Sequence, residues 1–153
     1  MGVIIRPAEE RDVPAIVRLT KELAEYEKLS EFCTITEEMF SELIFGEHSL
    51  NVLVAEQNGI TVGIASYYFY KISTFSGKKV LYLEDLYILP EFRGMGTGRK
   101  FFDELKKIAK KKNCGKIEWK CLKWNQPSVG FYDKIGGTQD NEWFTYNIPN
   151  DEF

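Results

Sequence analysis

At 153 residues, with 44% apolar and 28% charged side chains, the chain has the size and balance of one globular domain, not of a disordered or fibrous polymer. No apolar run approaches the roughly 20 residues a membrane span requires, and three scattered cysteines without a CxxC pair supply neither a disulfide framework nor a structural zinc site. The net charge of −3 conceals a polarity: eight acids face two bases over 21–47, and eleven bases face three acids over 93–123.

In chain order, a short strand is predicted over 3–6 and is halted by Pro7. A helix follows with Ile16, Leu19, Leu23 and Tyr26 at three- and four-residue spacing, opened by Asp12 and Pro14. Thr34 or Thr36, ahead of Glu37 and Glu38, caps a second helix bearing Met39, Phe40, Leu43 and Ile44. The period then changes from helical to alternating. Strands are expected over 51–56 and 60–70 around the hairpin signal Asn58-Gly59. A turn at Phe75-Ser76-Gly77-Lys78 leads to a strand over 80–88, ended by Pro90. A helix with Phe101, Leu105 and Ile108 runs to Asn113 and Gly115. A strand over 116–122, a short helix over 127–134 stopped by Gly136-Gly137, and a last strand over 143–148 complete the pattern. This order implies a mixed α/β fold, with a largely antiparallel sheet and helices on its faces.

The chemistry concentrates at Arg93-Gly94-Met95-Gly96-Thr97-Gly98, between a strand and a helix. Glycines there permit positive φ and a close approach of main-chain N–H groups to a ligand. The helix start adds unsatisfied donors and partial positive charge, and Arg93, Arg99 and Lys100 add full charges, so phosphate is the expected guest. The Walker spacing is missing. So is the dinucleotide fingerprint: Arg99 occupies its sixth position, and bases stand where its acid is needed. With His48 as the single histidine, zinc-protease designs needing two are excluded, and no metal is expected.

The glycine turn resembles the R/Q-x-x-G-x-G/A signature of the GNAT acetyltransferases. Asn125-Gln126-Pro127-Ser128-Val129-Gly130-Phe131-Tyr132 followed by Gly136 resembles that family's N-x-x-A/S-x-x-F-Y-x-x-x-G segment, in the same order. Arg6-Pro7-Ala8, the segment 21–27, Phe45-Gly46-Glu47-His48, Leu81-Tyr82-Leu83-Glu84-Asp85 and Trp124-Asn125 are similar to the polyamine and thialysine acetyltransferases. The resemblance implies the GNAT acyl-CoA acyltransferase fold: α/β, a mixed and mostly antiparallel central sheet with about four flanking helices, as one domain over 1–153.

It also implies a reaction, attack of an amine on the thioester of acetyl-CoA, and roles for particular residues. The co-substrate would lie on Arg93, Gly94, Met95, Gly96, Thr97, Gly98 and Arg99, on Asn125, Gln126, Pro127 and Ser128, and along Leu86, Tyr87 and Ile88, where a freed N–H would polarise the carbonyl. A primary amine near pKa 10.4 is neutral in only about one molecule per few thousand at pH 7. A proton acceptor is therefore needed, and Glu84 is the candidate, directly or through water. Tyr132 matches the tyrosine acid that protonates the departing thiolate. Tyr26, Glu27, Glu84, Glu118, Trp119, Lys120 and Asn141 match positions that contact the amine.

Lys28 and Lys120 stand where a polyamine site would carry acids, which keeps a shorter diamine or an amino-acid-like amine such as thialysine open. A protein or peptide amine is a second alternative. A non-enzymatic nucleic-acid module is disfavoured by acidic flanks around the basic span and a pI near 5.3. The expected setting is a cytoplasmic homodimer acting on a small-molecule amine without nucleic acid or membrane, its interface drawn from Tyr67-Tyr68-Phe69-Tyr70 and the tail 148–153.

Overall fold

The computed structural model describes residues 2–153, which form two compact units, one running through Lys120 and the other Cys121–Phe153. The first unit contains β1 (Ile4–Pro7), α1 (Val13–Tyr26), α2 (Glu37–Ser41) continued by a π turn (Glu42–Gly46), β2 (Asn51–Gln57), β3 (Ile60–Tyr70), β4 (Val80–Ile88), α3 (Thr97–Lys111) and β5 (Lys116–Trp119). The strands pair in sequence order. The first four are antiparallel: a two-residue turn joins β2 to β3, a loop over 71–79 joins β3 to β4, and β1 reaches β2 through α1 and α2, while β5 runs parallel to β4 because α3 intervenes as a crossover.

The local signals act as read. Asn58 and Gly59 take φ of 52° and 77°, the two positive values that a two-residue hairpin turn needs. Thr36, not Thr34, caps α2, its Oγ1 accepting the Met39 N–H at 3.2 Å. Asp12 precedes α1, yet its carboxylate does not cap that helix. It accepts from both Arg6 Nη atoms at 2.8 and 3.0 Å and from the Glu9 N–H at 2.7 Å, while Arg6 also reaches Glu56 at 2.8 Å. Burial pushes Asp12 up, but Arg6 and the Glu9 amide outweigh it and hold the carboxyl below its usual range. The start of α1 is thereby fastened to β1 and β2.

The two faces of the sheet have different partners. Ile16, Leu19 and Leu23 of α1 pack with Phe40, Ile44, Val52, Val54 and Ile64. On the other face α3 buries Phe101, Phe102 and Leu105, each worth roughly 1.5–3 kcal/mol if fully withdrawn from water. Gly63 makes this close approach possible. A Cβ there would stand 3.2 Å from the Phe101 ring and 3.1 Å from the Tyr87 carbonyl oxygen.

The second unit contains α4 (Gln126–Lys134), with buried Asn125 ahead of it, and ends in a 3-10 turn (Asn150–Glu152). The expected strand over 143–148 does not form, and the segment is irregular. Trp143, Phe144, Tyr146 and Ile148 are 71–89% exposed. Their β-propensity reflects fit to a pleated neighbour, and this unit contains no strand that could offer one. The strand expected over 116–122 also ends early, at Trp119.

Candidate active site

The two carboxylates of β4 share one face because of a bulge. Ser66 of β3 pairs with Asp85 and the next residue, Tyr67, pairs with Leu83, so Glu84 is the extra residue. An ordinary strand would send Glu84 and Asp85 to opposite faces, and the bulge re-aims one of them. Both then sit near Glu27, at the end of α1, whose carboxyl is pushed up by burial and then by the charge of Glu84. Burial, followed by Glu84 and Glu27, pushes Asp85 up to about 6 against a hydrogen bond donated by Ser66 Oγ at 3.3 Å. Glu84 itself is exposed.

Tyr68, Tyr70 and Tyr82 flank these acids, with ring centroids 4.9–5.8 Å apart. Burial, and then nearby negative charge (Glu84 for Tyr68 and Tyr82, Glu118 for Tyr70), raises all three phenols. Crowded carboxylates beside aromatic rings make a site for an ammonium group, which offsets the repulsion and can lie on a ring face.

The remaining predicted amine contacts divide. Tyr26, the last residue of α1, lies beside Glu27. Glu118 accepts from the Tyr70 hydroxyl and pairs with Lys116 Nζ at 3.1 Å and Lys71 Nζ at 3.4 Å. Against the upward push of burial, these partners hold it below its usual range. Trp119 turns to the opposite face, 5.0 Å from Phe102 of α3, and Lys120 is exposed beyond β5. The structure therefore does not bring Trp119 to the acidic cluster.

At its other end β4 opens an anion cradle. Its ladder with β5 stops at Leu83, and Leu86, Tyr87 and Ile88 are paired with β3 alone. The early end follows from the shortness of β5 more than from Pro90. A 3-10 turn (Pro90–Phe92) then leads into the glycines. Gly94 and Gly96 have φ of 77° and 82°, and a Cβ built on either would meet nothing within 4 Å. Thr97, the first residue of α3, is 2% exposed, yet its Oγ1 has no hydrogen-bond partner. No side chain caps α3, and no acid lies in its first turn. Open glycines, an orphaned hydroxyl and uncapped N–H groups fit a pyrophosphate.

Exposed Arg99 adds charge at this cradle, exposed Met95 and half-buried Gly98 complete the turn, and Lys100 Nζ is engaged by the Val3 carbonyl at 3.3 Å. Arg93 donates from Nε to the Ile88 carbonyl at 2.7 Å and lies over the Tyr87 and Tyr26 rings, 5.2 and 5.8 Å from their centroids.

Within the second unit, Asn125 precedes α4 and its carbonyl accepts the Val129 N–H at 3.1 Å. Gln126 Nε2 donates to the Lys123 carbonyl at 2.7 Å, Pro127 lies in the first turn, and Ser128 is half-buried. Tyr132, also half-buried, has its ring 5.5 Å from that of Phe131. Asn141 is exposed in the irregular tail.

Residues 16–137 match the model of the Acetyltransferase (GNAT) family. The chain belongs to that family. This GNAT chain is 37% identical to a thialysine N-epsilon-acetyltransferase of Sus scrofa, with 98% of the chain and 94% of the relative covered. It is 33% identical to the human spermidine/spermine N(1)-acetyltransferase-like protein 1 over 97% of the chain and 23% of that longer protein. An integron cassette protein from the mobile metagenome of V. cholerae, 23% identical, shares the fold with a TM-score of 0.81 over 99% of this chain and 95% of that one. The chain is an N-acetyltransferase, and its family uses acetyl-CoA as co-substrate. Among the described residues no helix is long and apolar enough to cross a membrane.

Sequence reasoning overlooked Asp85, Ser66, Tyr68 and Tyr82. The tyrosines were legible as a β-branched and aromatic run, but their grouping with two consecutive acids depends on the bulge, which leaves no mark in residue order.

Proposed function

We propose that the chain, acting as one catalytic domain over 1–153, transfers the acetyl group of acetyl-CoA to a primary amine of a small cation. The observation that carries this reading is β4 itself: one strand bears Tyr82, Glu84 and Asp85 of the cluster and runs into the glycine cradle. The main-chain N–H groups of 94–98 with Arg99 hold the pyrophosphate, Asn125, Gln126, Pro127 and Ser128 contact the rest of the co-substrate, and an N–H near Leu86, Tyr87 and Ile88 steadies the developing oxyanion. Tyr26 and Glu27 hold the cation.

Glu84 takes the amine proton, directly or through water, and the neutral nitrogen attacks the carbonyl carbon. The C–N bond forms, the C–S bond breaks, and the departing thiolate takes the Tyr132 phenol proton. The nitrogen loses its second proton as the amide forms, Glu84 gives up the proton it took, and Tyr132 is reprotonated from solvent, so the acetyl transfer closes with no change of oxidation state.

A diamine or polyamine is the acceptor favoured by the three clustered carboxylates Glu27, Glu84 and Asp85. Thialysine or a similar amino-acid-like amine is the second reading, favoured by the likeness to thialysine acetyltransferases and by Lys28 and Lys120, which suit a substrate that also carries a carboxylate. The enzyme works as a cytoplasmic homodimer. Release of CoA, followed with a thiol reagent, tests these assignments across spermidine, putrescine, thialysine and a lysine peptide. Turnover confined to the peptide overturns both readings, and binding of CoA without turnover on any amine overturns the enzyme assignment.

A further inference from the structure

One side chain reaches both ends of the proposed site. Arg93 immediately precedes Gly94 of the cradle, and its Nε–H holds the Ile88 carbonyl at 2.7 Å, at the end of β4. The same guanidinium lies 5.2 Å from the centroid of Tyr87 and 5.8 Å from that of Tyr26. Tyr87 is buried in the core, whereas Tyr26 is 37% exposed and is followed by Glu27, one of the clustered carboxylates. A guanidinium is suited to this double task because its edge donates while its flat, weakly hydrated face stacks. A lysine ammonium has the charge without the plane.

We propose that Arg93 is a positioning residue that couples the acetyl-CoA turn to the amine site, by clamping Tyr26 and the end of α1 against the last residues of β4. The inference rests on the acetyltransferase reading above. The turn carries two residues in the left-handed region, Gly94 and Gly96, each with open space where a Cβ would stand. A pyrophosphate on the N–H groups of 94–98 fixes that turn and therefore the position of Arg93. Arg93 in turn fixes Tyr26, and with it the carboxylate of Glu27 relative to Glu84. With its Nε–H on the Ile88 carbonyl and its face over two rings, it acts on the phosphates through the turn. Coupling of this kind is reciprocal: CoA tightens the amine by the same factor by which the amine tightens CoA.

Calorimetric titration of CoA, which cannot be turned over, is carried out without amine and with saturating spermidine or thialysine. For the wild type the expected result is at least fivefold tighter CoA binding in the presence of the amine that is turned over. Arg93→Lys keeps the CoA affinity without amine within threefold, loses the enhancement, and raises KM for the amine at least tenfold. Tyr26→Leu, at an exposed ring, has the same signature, and the double variant is no worse than either single one. Tyr26→Phe, which keeps the ring, retains the coupling. Loss of CoA affinity in Arg93→Lys with the enhancement intact makes Arg93 a phosphate ligand and overturns the proposal, as does a wild type that binds CoA without any enhancement. A wild type that binds no CoA at all fails the acetyltransferase reading itself, a different result from either.

Discussion

Asp85 is held in the folded protein at a cost that function explains. Burial and then Glu84 and Glu27 raise it from an ordinary 3.8 to about 6. Below the unfolded value the group is protonated in both states and contributes nothing. Between the two values the folded state binds the extra proton, so stability falls as pH rises, and above about 6 the full penalty applies, at most about 3 kcal/mol. Asp85→Asn keeps an acceptor for Ser66 and removes the charge. Thermal melts are expected to show the variant more stable than the wild type at pH 8 and equal to it at pH 4, and an equal difference at both would mean that repulsion is not the cause. The same substitution is expected to weaken the amine, because a bound cation relieves the charge that Asn lacks. Tyr132 answers a different question. With no acid for the thiolate, Tyr132→Phe is expected to lower kcat by about 100-fold or more with little change in KM for acetyl-CoA. Steady-state kinetics checks this, and an unchanged kcat would remove Tyr132 from proton transfer.

The turn into α3 is the element on which co-substrate binding depends, and its glycines act through backbone geometry. At Gly96, φ of 82° would strain any L side chain by about 1–2 kcal/mol, and the added methyl would project into the open cradle. Gly96→Ala is therefore expected to raise KM for acetyl-CoA at least tenfold while leaving amine KM nearly unchanged. Equal rises in both would point to general damage. Gly130 offers the contrast. It lies inside α4 with open space around its Cβ position, so Gly130→Ala is expected to stabilise the fold by about 0.5–1 kcal/mol. This turn was legible in the sequence because alternating glycines between a strand and a helix have few other uses, and Asn58-Gly59 was legible for the same reason. Elements whose form depends on a distant neighbour were not. The segment 143–148 carries strand-forming residues without a strand. The Glu84 bulge arises where β3 and β4 count differently, and Arg93 finds Tyr26 only after α1 has folded back over β4. Local chemistry is written in residue order, and cross-strand register and stacking are not.

For the molecule as a whole, the exposed tail argues for a second copy. Trp143, Phe144, Tyr146 and Ile148 are 71–89% exposed in a stretch of six residues, and Phe153 is 94% exposed. Single exposed apolar residues need no explanation, but a contiguous group of this kind on a monomer does. Three aromatics burying 150–250 Å² each, with Ile148, would remove roughly 600 Å² per chain, or about 1,200 Å² across a symmetric pair, the lower end of a stable interface. The Tyr67-Tyr68-Phe69-Tyr70 run contributes less than its composition promises. Tyr67 is buried in the core, and Tyr68 and Tyr70 are occupied with Tyr82. The tail is thus the stronger candidate for the dimer contact. Light scattering after size exclusion is expected to give a dimer for the wild type and a monomer for Trp143→Ser combined with Phe144→Ser. If the tail serves only to join the copies, the monomeric variant keeps its kcat, whereas a large fall in kcat with CoA affinity preserved would mean that the site borrows residues across the interface. A double variant that remains a dimer would show that these aromatics have another purpose.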